Sequence, residues 1–182
     1  MDDNDASGFD TATQGYGTDP NLVTPDTPWP RTLSDHQRKL IAVLSDIILP
    51  GTDEFPAPGA VGIVDFFDDW VSAPYRTQQK DRTLITTGLT MVDESSQRQF
   101  GLGFVDLNGS QQRTIVDQIA STTATDRSFF VRFRSLLLNG YFTTEIGFKA
   151  IGYIGNVPLL EFPGVPPEAQ RIIDDELRKL GL

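Results

Sequence analysis

The chain has 182 residues, of which 38% are apolar, and this is enough for one domain with a core of ordinary size. It has no cysteine, which excludes disulfides, thiolate nucleophiles, iron–sulfur ligation and cysteine-based zinc sites. Its formal net charge of -10 argues against binding of DNA or RNA, which depends on clustered Lys and Arg side chains.

Membrane and export signals are also missing from the sequence. No run approaches the roughly 18 consecutive apolar residues that a membrane helix needs. The N-terminal residues show no basic region, apolar stretch or twin arginine. We therefore expect no direct membrane span and, for the chain as given, no export signal of its own.

Residues 1–32 are predicted to form an extended or disordered acidic arm. Six aspartates are the only charged side chains of residues 1–30, and prolines and glycines interrupt the segment throughout. Such a segment cannot bury enough apolar surface by itself to offset the entropy lost on ordering. Two interpretations remain open: a solubilising leader, or an arm that Phe9, Tyr16 and Trp29 anchor to a partner.

Residues 33–182 are predicted to form an all-α domain of about five to six helices. The first begins at Ser34, whose side chain and that of Gln37 have the spacing of a capping box. Apolar residues then recur on one helical face, and Pro50 ends the helix. These apolar residues are Leu40, Ile41, Leu44, Ile47 and Ile48.

Further helices are predicted at residues 61–71, 77–99, after Asn108, at 127–138 and from Pro166. In the helix at 77–99, Leu84, Gly88, Met91 and Ser95 share one face, and the small residues among them predict close contact with another helix. No segment alternates convincingly with period two, so we expect no β-sheet.

The run from Gly140 to Gly164 is predicted to be irregular. It is too apolar for a loose loop and too rich in glycine for a helix or strand. We therefore expect this segment to pack against a surface, either of a partner or of the domain's own helices.

Candidate catalytic groups are few. His36 is the only histidine, and its place in the first turn of a helix predicts a solvated side chain rather than part of a catalytic triad. Asp65, Asp68 and Asp69 would share a helix face, which suits either a Mg²⁺ site or simply the polar face of an amphipathic helix. No glycine-rich phosphate-binding motif occurs. We assign no catalytic, cofactor-binding or metal-binding residue to this chain.

The sequence from Leu40 to Val71, LIAVLSDIILPGTDEFPAPGAVGIVDFFDDWV, resembles the opening of the gluconate 2-dehydrogenase subunit 3 family. Further motifs follow in the family's order, so that the resemblance covers about residues 33–165. Two features depart from the family pattern: the missing twin-arginine signal, and Ile154 where a second glycine is usual. The later motifs are Phe100-Gly101, Phe129-Phe130, Glu145 to Phe148, Tyr153 to Asn156 and Phe162 to Gly164.

The resemblance implies a non-catalytic, chaperone-like small subunit. Such subunits bind and stabilise a large FAD-dependent dehydrogenase of the glucose-methanol-choline type, which oxidises sugars, glycosides or sugar acids, and they assist its maturation or export. FAD would then belong to the partner, and a cytochrome c or other electron-transfer subunit would accept the electrons. Family context implies the bacterial periplasm, while the missing signal leaves the cytoplasm open.

Two alternatives from other functional classes remain. The chain could be a stand-alone helical enzyme that uses Asp65, Asp68 and Asp69 with Mg²⁺, or a helical adaptor unrelated to redox enzymes. If it is the small subunit, aromatic and apolar residues of the glycine-rich run and of the arm should contact the partner. The predicted contact residues are Trp29, Phe142, Phe148, Tyr153, Ile154, Asn156 and Phe162.

Overall fold

Seven α-helices and two short 3-10 turns make up the regular structure of the computed structural model, which describes residues 29–121, 125–155, 158 and 164–181. No strand occurs within those ranges, so the all-α prediction is confirmed. None of these helices is long and apolar enough to cross a membrane. The helices are α1 (Asp35–Ile48), α2 (Ile63–Ser72), α3 (Arg76–Phe100), α4 (Gly109–Ser121), α5 (Thr125–Phe142), α6 (Glu145–Ala150) and α7 (Pro167–Lys179).

The chain separates into two units, one ending at Gly152 and the other beginning at Tyr153. Helices α1 to α6 belong to the first unit, here called the body, and α7 belongs to the second, here called the C-terminal unit.

The start of α1 has the capping box that the sequence predicts. The Ser34 hydroxyl accepts a hydrogen bond from the Gln37 amide at 3.2 Å, and the Ser34 amide donates to the Gln37 side chain at 2.9 Å. Leu40, Ile41 and Leu44 then point into the core. Because Pro50 cannot continue the hydrogen-bond ladder, α1 ends at Ile48.

The core of the body is aromatic where α2 meets α5. Phe67 of α2 and Phe133 of α5 are fully buried, with ring centres 4.7 Å apart, and Phe129 lies 5.6 Å from Phe133. The predicted close helix contact occurs at Gly88 of α3, where an added Cβ would lie 2.0 Å from the Phe129 ring. The glycine therefore lets α3 approach α5 closely. The buried face of α3 is displaced from the predicted one, since Ser96 is buried and Ser95 is only half-buried.

A polar cluster also joins α2, α3 and α5. The buried Asp81 carboxylate accepts hydrogen bonds from the Trp70 indole at 2.7 Å and from Arg132 Nε at 2.8 Å, and it pairs with a second nitrogen of Arg132. The Arg132 guanidinium also lies 5.7 Å from the centre of the Trp70 ring. A buried carboxylate needs such partners to offset its lost hydration.

Two details of the helix prediction were wrong. Helix α5 runs to Phe142, four residues beyond the predicted end at Leu138, and α6 lies inside the run predicted to be irregular. Gly140 lowers helix propensity, but it lies against α2, where an added Cβ would come within 2.6 Å of Ile63 and Phe66. Packing therefore outweighs the local preference.

Candidate partner-binding surface

The glycine-rich run begins with a tight turn between α5 and α6 that is packed within the body. Tyr141 is buried, and its hydroxyl donates to the Pro56 carbonyl at 2.8 Å. The Thr144 side chain caps α6 by accepting from the Gly147 amide at 3.0 Å. A Cβ on Gly147 would lie 2.1 Å from the Tyr141 carbonyl oxygen, so only glycine fits at this contact. The part of the run from Gly140 to Gly147 is therefore held by the domain's own helices.

Phe142 and Phe148 lie at the edge of this turn. Both side chains are half-buried, and the Phe142 ring meets the Tyr141 ring edge-on with centres 5.2 Å apart. Part of each ring is therefore open to solvent, as a contact with another protein would require, although both residues also contribute to the body.

The apolar side chains on both sides of Gly152 are exposed. Tyr153 is 48% exposed and Ile154 is 80% exposed, while Ile151, which was not among the predicted contact residues, is 58% exposed. Gly152 and Gly155 have φ values of 67° and 84°, a left-handed conformation that glycine adopts without strain. Ile154 itself does not have a positive φ, so its departure from the family pattern causes no backbone strain.

Tyr153 and Ile154, both in the C-terminal unit, are exposed neighbours in the sequence, as a contact with another molecule would require. Asn156 and Phe162, the remaining predicted contact residues of this run, lie outside the described residues.

Trp29, the predicted contact residue of the arm, lies against its own domain. Its indole nitrogen donates to the Asp69 carbonyl at 2.8 Å, and its ring meets Tyr75 edge-on at 5.7 Å. Arg31 pairs with the Asp69 carboxylate at 2.6 Å. The last residues of the arm are therefore attached to the end of α2, while residues 1–28, including Phe9 and Tyr16, lie outside the described range.

Asp68 fixes the chain that leads into α1. Its Oδ1 accepts hydrogen bonds from the amides of Thr32 and Leu33, both at 3.2 Å, and from the Ser72 hydroxyl at 3.1 Å. Its Oδ2 accepts from Arg38 at 2.6 Å. Burial raises the pKa of Asp68, but these hydrogen bonds outweigh burial and hold the pKa below its ordinary value.

The three aspartates of α2 therefore have structural partners. Arg38 binds Asp65 as well as Asp68, and the carboxylate of Asp69 pairs with Arg31. Asp68 is buried, whereas Asp65 is exposed and Asp69 is partly exposed, so the polar face of α2 is not uniformly open to solvent. An isolated sequence pattern could not reveal Asp68 as a hydrogen-bond centre, because its partners Thr32 and Leu33 are 35 or more residues away.

His36 is exposed, as predicted, but it pairs with Asp93 of α3. The other oxygen of Asp93 accepts a hydrogen bond from the Phe104 amide at 2.8 Å. An open surface pocket of about 440 Å³ lies beside this pair, and Gln37 and Gln97 also contribute to its lining. The pair joins α1 and α3 to the turn at Phe104, which is a structural role.

In a comparison with protein families, the model described as gluconate 2-dehydrogenase subunit 3 matches residues 35–164. The matched range begins at the first residue of α1 and ends before α7. No curated protein and no solved structure matches the chain.

Proposed function

Because this chain belongs to the gluconate 2-dehydrogenase subunit 3 family, we propose that it is a non-catalytic small subunit that binds and stabilises a large FAD-dependent dehydrogenase. The large subunit is of the glucose-methanol-choline type and oxidises sugars, glycosides or sugar acids. FAD is bound by that partner, and a cytochrome c or another electron-transfer subunit accepts the electrons. The family match over most of the folded body is the observation that carries this proposal.

The distribution of apolar side chains supports a partner-binding role. Half-buried Phe142 and Phe148 and exposed Tyr153 and Ile154 follow one another within a short stretch of sequence. Protein–protein interfaces usually have a centre of aromatic and aliphatic side chains, from which water is displaced on binding. We propose that these residues, with Asn156 and Phe162, contact the large subunit.

The pairing of the acidic residues also supports a structural role rather than catalysis. Asp65, Asp68 and Asp81 each bind an arginine of the same chain. A carboxylate that acts as a general base, or that coordinates Mg²⁺, has to be available to its substrate or ion. Here the guanidinium groups already satisfy these carboxylates, so the Mg²⁺-dependent alternative is the less favoured one.

We propose that the complex belongs to the bacterial periplasm, as family context implies, with the cytoplasm as the alternative. The small subunit would assist the maturation or export of its partner in the chaperone-like manner of the family. The arm, with Trp29 at its attached end, would extend the contact along the large subunit, because its prolines favour an extended chain that loses less entropy on binding.

A tagged chain purified from its native host tests the proposal. We expect a larger protein with a flavin absorption spectrum to co-purify. Tyr153→Ala should lower the recovered flavin per small subunit, whereas Leu102→Ala, which alters an equally exposed side chain of the α3–α4 connection, should not. The free variants should keep the wild-type melting temperature.

Other outcomes would contradict the proposal. A flavin-free partner would favour the helical adaptor. A chain that purifies alone, and that Mg²⁺ stabilises in the wild type but not in Asp65→Ala, would favour the stand-alone enzyme.

A further inference from the structure

An open groove of about 320 Å³ lies between α1, α4 and α5 on the surface of the body. Every residue that lines it belongs to the body. The apolar lining side chains are buried or half-buried, so part of this apolar surface remains in contact with water. We call this site the α4–α5 groove. Its apolar lining consists of Ile47, Ile48, Val116, Ala120 and Phe130.

Two arginines also line the groove, and neither has an acidic partner among the described residues. Arg113 of α4 and Arg134 of α5 are exposed. Arg38 and Arg132, by contrast, bind aspartates of the body. Asp117 lines the groove as well, but no ion pair within the described part of the chain joins it to either arginine. A guanidinium beside apolar surface is suited to bind a carboxylate whose neighbouring side chains are apolar.

The charge of the chain distinguishes this groove from its surroundings. The formal net charge of -10 includes -6 from the aspartates of residues 1–30, so the rest of the chain carries -4. On average, the surface of the body therefore repels an acidic segment. Arg127 is exposed and lies seven residues before Arg134, on the same face of α5, so it adds to the positive charge at this site.

Residues 1–28 of the arm have the composition that such a groove would recognise. They contain no basic side chain, and aromatic residues stand close to aspartates. Phe9 directly precedes Asp10, and Tyr16 precedes Asp19 by three residues. A carboxylate of such a pair would bind a guanidinium while the ring covers apolar surface. These residues lie outside the described range, which begins at Trp29 with its contact to the end of α2.

The arm is long enough to reach the groove from this attachment. A domain of the body's size has a radius of gyration of about 14 Å, so the path over its surface between opposite points is about 57 Å. An extended chain covers about 3.3 Å per residue, or about 66 Å for the 20 residues between Phe9 and Trp29. Because arm and groove belong to one chain, their effective concentration is on the order of mM, which favours this arm over that of a second copy.

We propose that the α4–α5 groove is the docking site of the arm of the same chain, where Phe9 packs on the apolar lining and Asp10 pairs with Arg113 or Arg134. The inference concerns the free chain and does not depend on the proposed function. To extend along the large subunit, the arm has to leave the groove. The docked arm is therefore an autoinhibitory contact that competes with the large subunit for the arm.

Paramagnetic relaxation enhancement in the full-length chain tests this inference. Because the chain has no cysteine, Thr13→Cys provides a single position for a nitroxide spin label close to Phe9 and Asp10. We expect the label to broaden the backbone amide signals of residues 113–120 and 130–134. Sodium chloride at about 1 M should reduce this broadening, because it limits interactions between exposed charges to about 3 Å.

Substitutions in the groove and in the arm sharpen the test. Arg134→Glu should reduce the broadening about threefold or more, because it removes a partner of Asp10 and repels the arm. Arg82→Glu is the matched control: Arg82 is equally classed as exposed and has no ion pair within the described residues, but it does not line the groove. Phe9→Ala should also reduce the broadening, and all variants should keep the wild-type melting temperature.

Three other results would overturn the inference. Signals of α4 and α5 that the label leaves unchanged would show that the arm does not occupy the groove. The same conclusion would follow if Arg134→Glu and Arg82→Glu had equal effects. If an isotope-labelled chain without spin label is broadened by an unlabelled chain that carries it, the arm of a second copy is the occupant. None of these experiments contains the large subunit, so the proposed function is tested separately.

Discussion

Helices α2 and α7 are both short and amphipathic, yet their environments are opposite. Ile63, Phe67 and Val71 of α2 are almost completely buried in the body. The described residues of the C-terminal unit, by contrast, include none that is buried. Periodicity thus identifies a helix and its apolar face in both cases, but it does not say which molecule covers that face.

The largest difference between the two regions should appear in stability. Phe133→Ala should lower the free energy of unfolding by about 3–5 kcal/mol, because it removes a buried ring between Phe67 and Phe129 and leaves a cavity. Ile172→Ala in α7 should change the free energy of unfolding by less than about 0.5 kcal/mol. Urea denaturation of the free chain measures both, and equal losses would show that α7 belongs to the folded core.

The hydrogen-bond centre at Asp68 should give the next largest effect. Asp68→Ala removes the acceptor of the Leu33 amide, one of two acceptors of the Thr32 amide and one of two carboxylate partners of Arg38, and it should cost about 2–3 kcal/mol. Asp65→Ala is the control, because Asp65 is mostly exposed and Arg38 keeps its contact with Asp68. Its effect should be clearly smaller in the same urea experiment.

The stabilisation from Asp68 should also depend on pH. Since the pKa of Asp68 is lower in the folded state, its contribution is fully present above the unfolded pKa of about 4 and is lost as pH falls through the folded pKa. The difference in stability between wild type and Asp68→Ala should therefore be largest near pH 7 and should shrink below about pH 4. A difference that grows in acid would contradict this assignment.

A smaller effect is expected in α6, the last helix of the body. Gly147→Ala should cost about 1–3 kcal/mol, because the new Cβ would collide with the Tyr141 carbonyl and displace α6. Gly109→Ala is the matched control: an added Cβ there has no neighbour within 4 Å, so stability should stay constant or rise slightly. Equal destabilisation of both variants in a thermal melt would contradict this account, because it would show that the close approach at Gly147 is not the cause of the loss.

The sequence was most informative where local signals and packing agree. The capping box at Ser34, the stop at Pro50 and the close approach at Gly88 were predicted from local patterns and occur as expected. Helix α6 was missed, because its glycine content counts against a helix while Gly147 is required by a contact that only the fold creates. The role of Asp68 was missed for the same reason, since its partners are distant in sequence.

The candidate partner-binding surface was likewise only partly predictable from the sequence. Tyr153 and Ile154 were predicted from the sequence to contact a partner, and the structure adds that both side chains are exposed. A helix was predicted from Pro166 onward, but only the structure shows that none of the residues of α7 is buried. Trp29 was predicted to contact a partner, and its contacts with Asp69 and Tyr75 could not be foreseen from the prolines around it.

Hydrogen–deuterium exchange of the free chain and of its complex with the flavin-containing subunit tests the central claim most directly. In the free chain, amides of α3 and α5 should exchange slowly and those of α7 quickly, because α3 and α5 contribute to the core while no residue of α7 is buried. On binding, protection should rise in residues 148–162, which include most of the proposed contact residues, and stay nearly constant in α3. Slow exchange of α7 in the free chain, or no change in residues 148–162 on binding, would contradict the account.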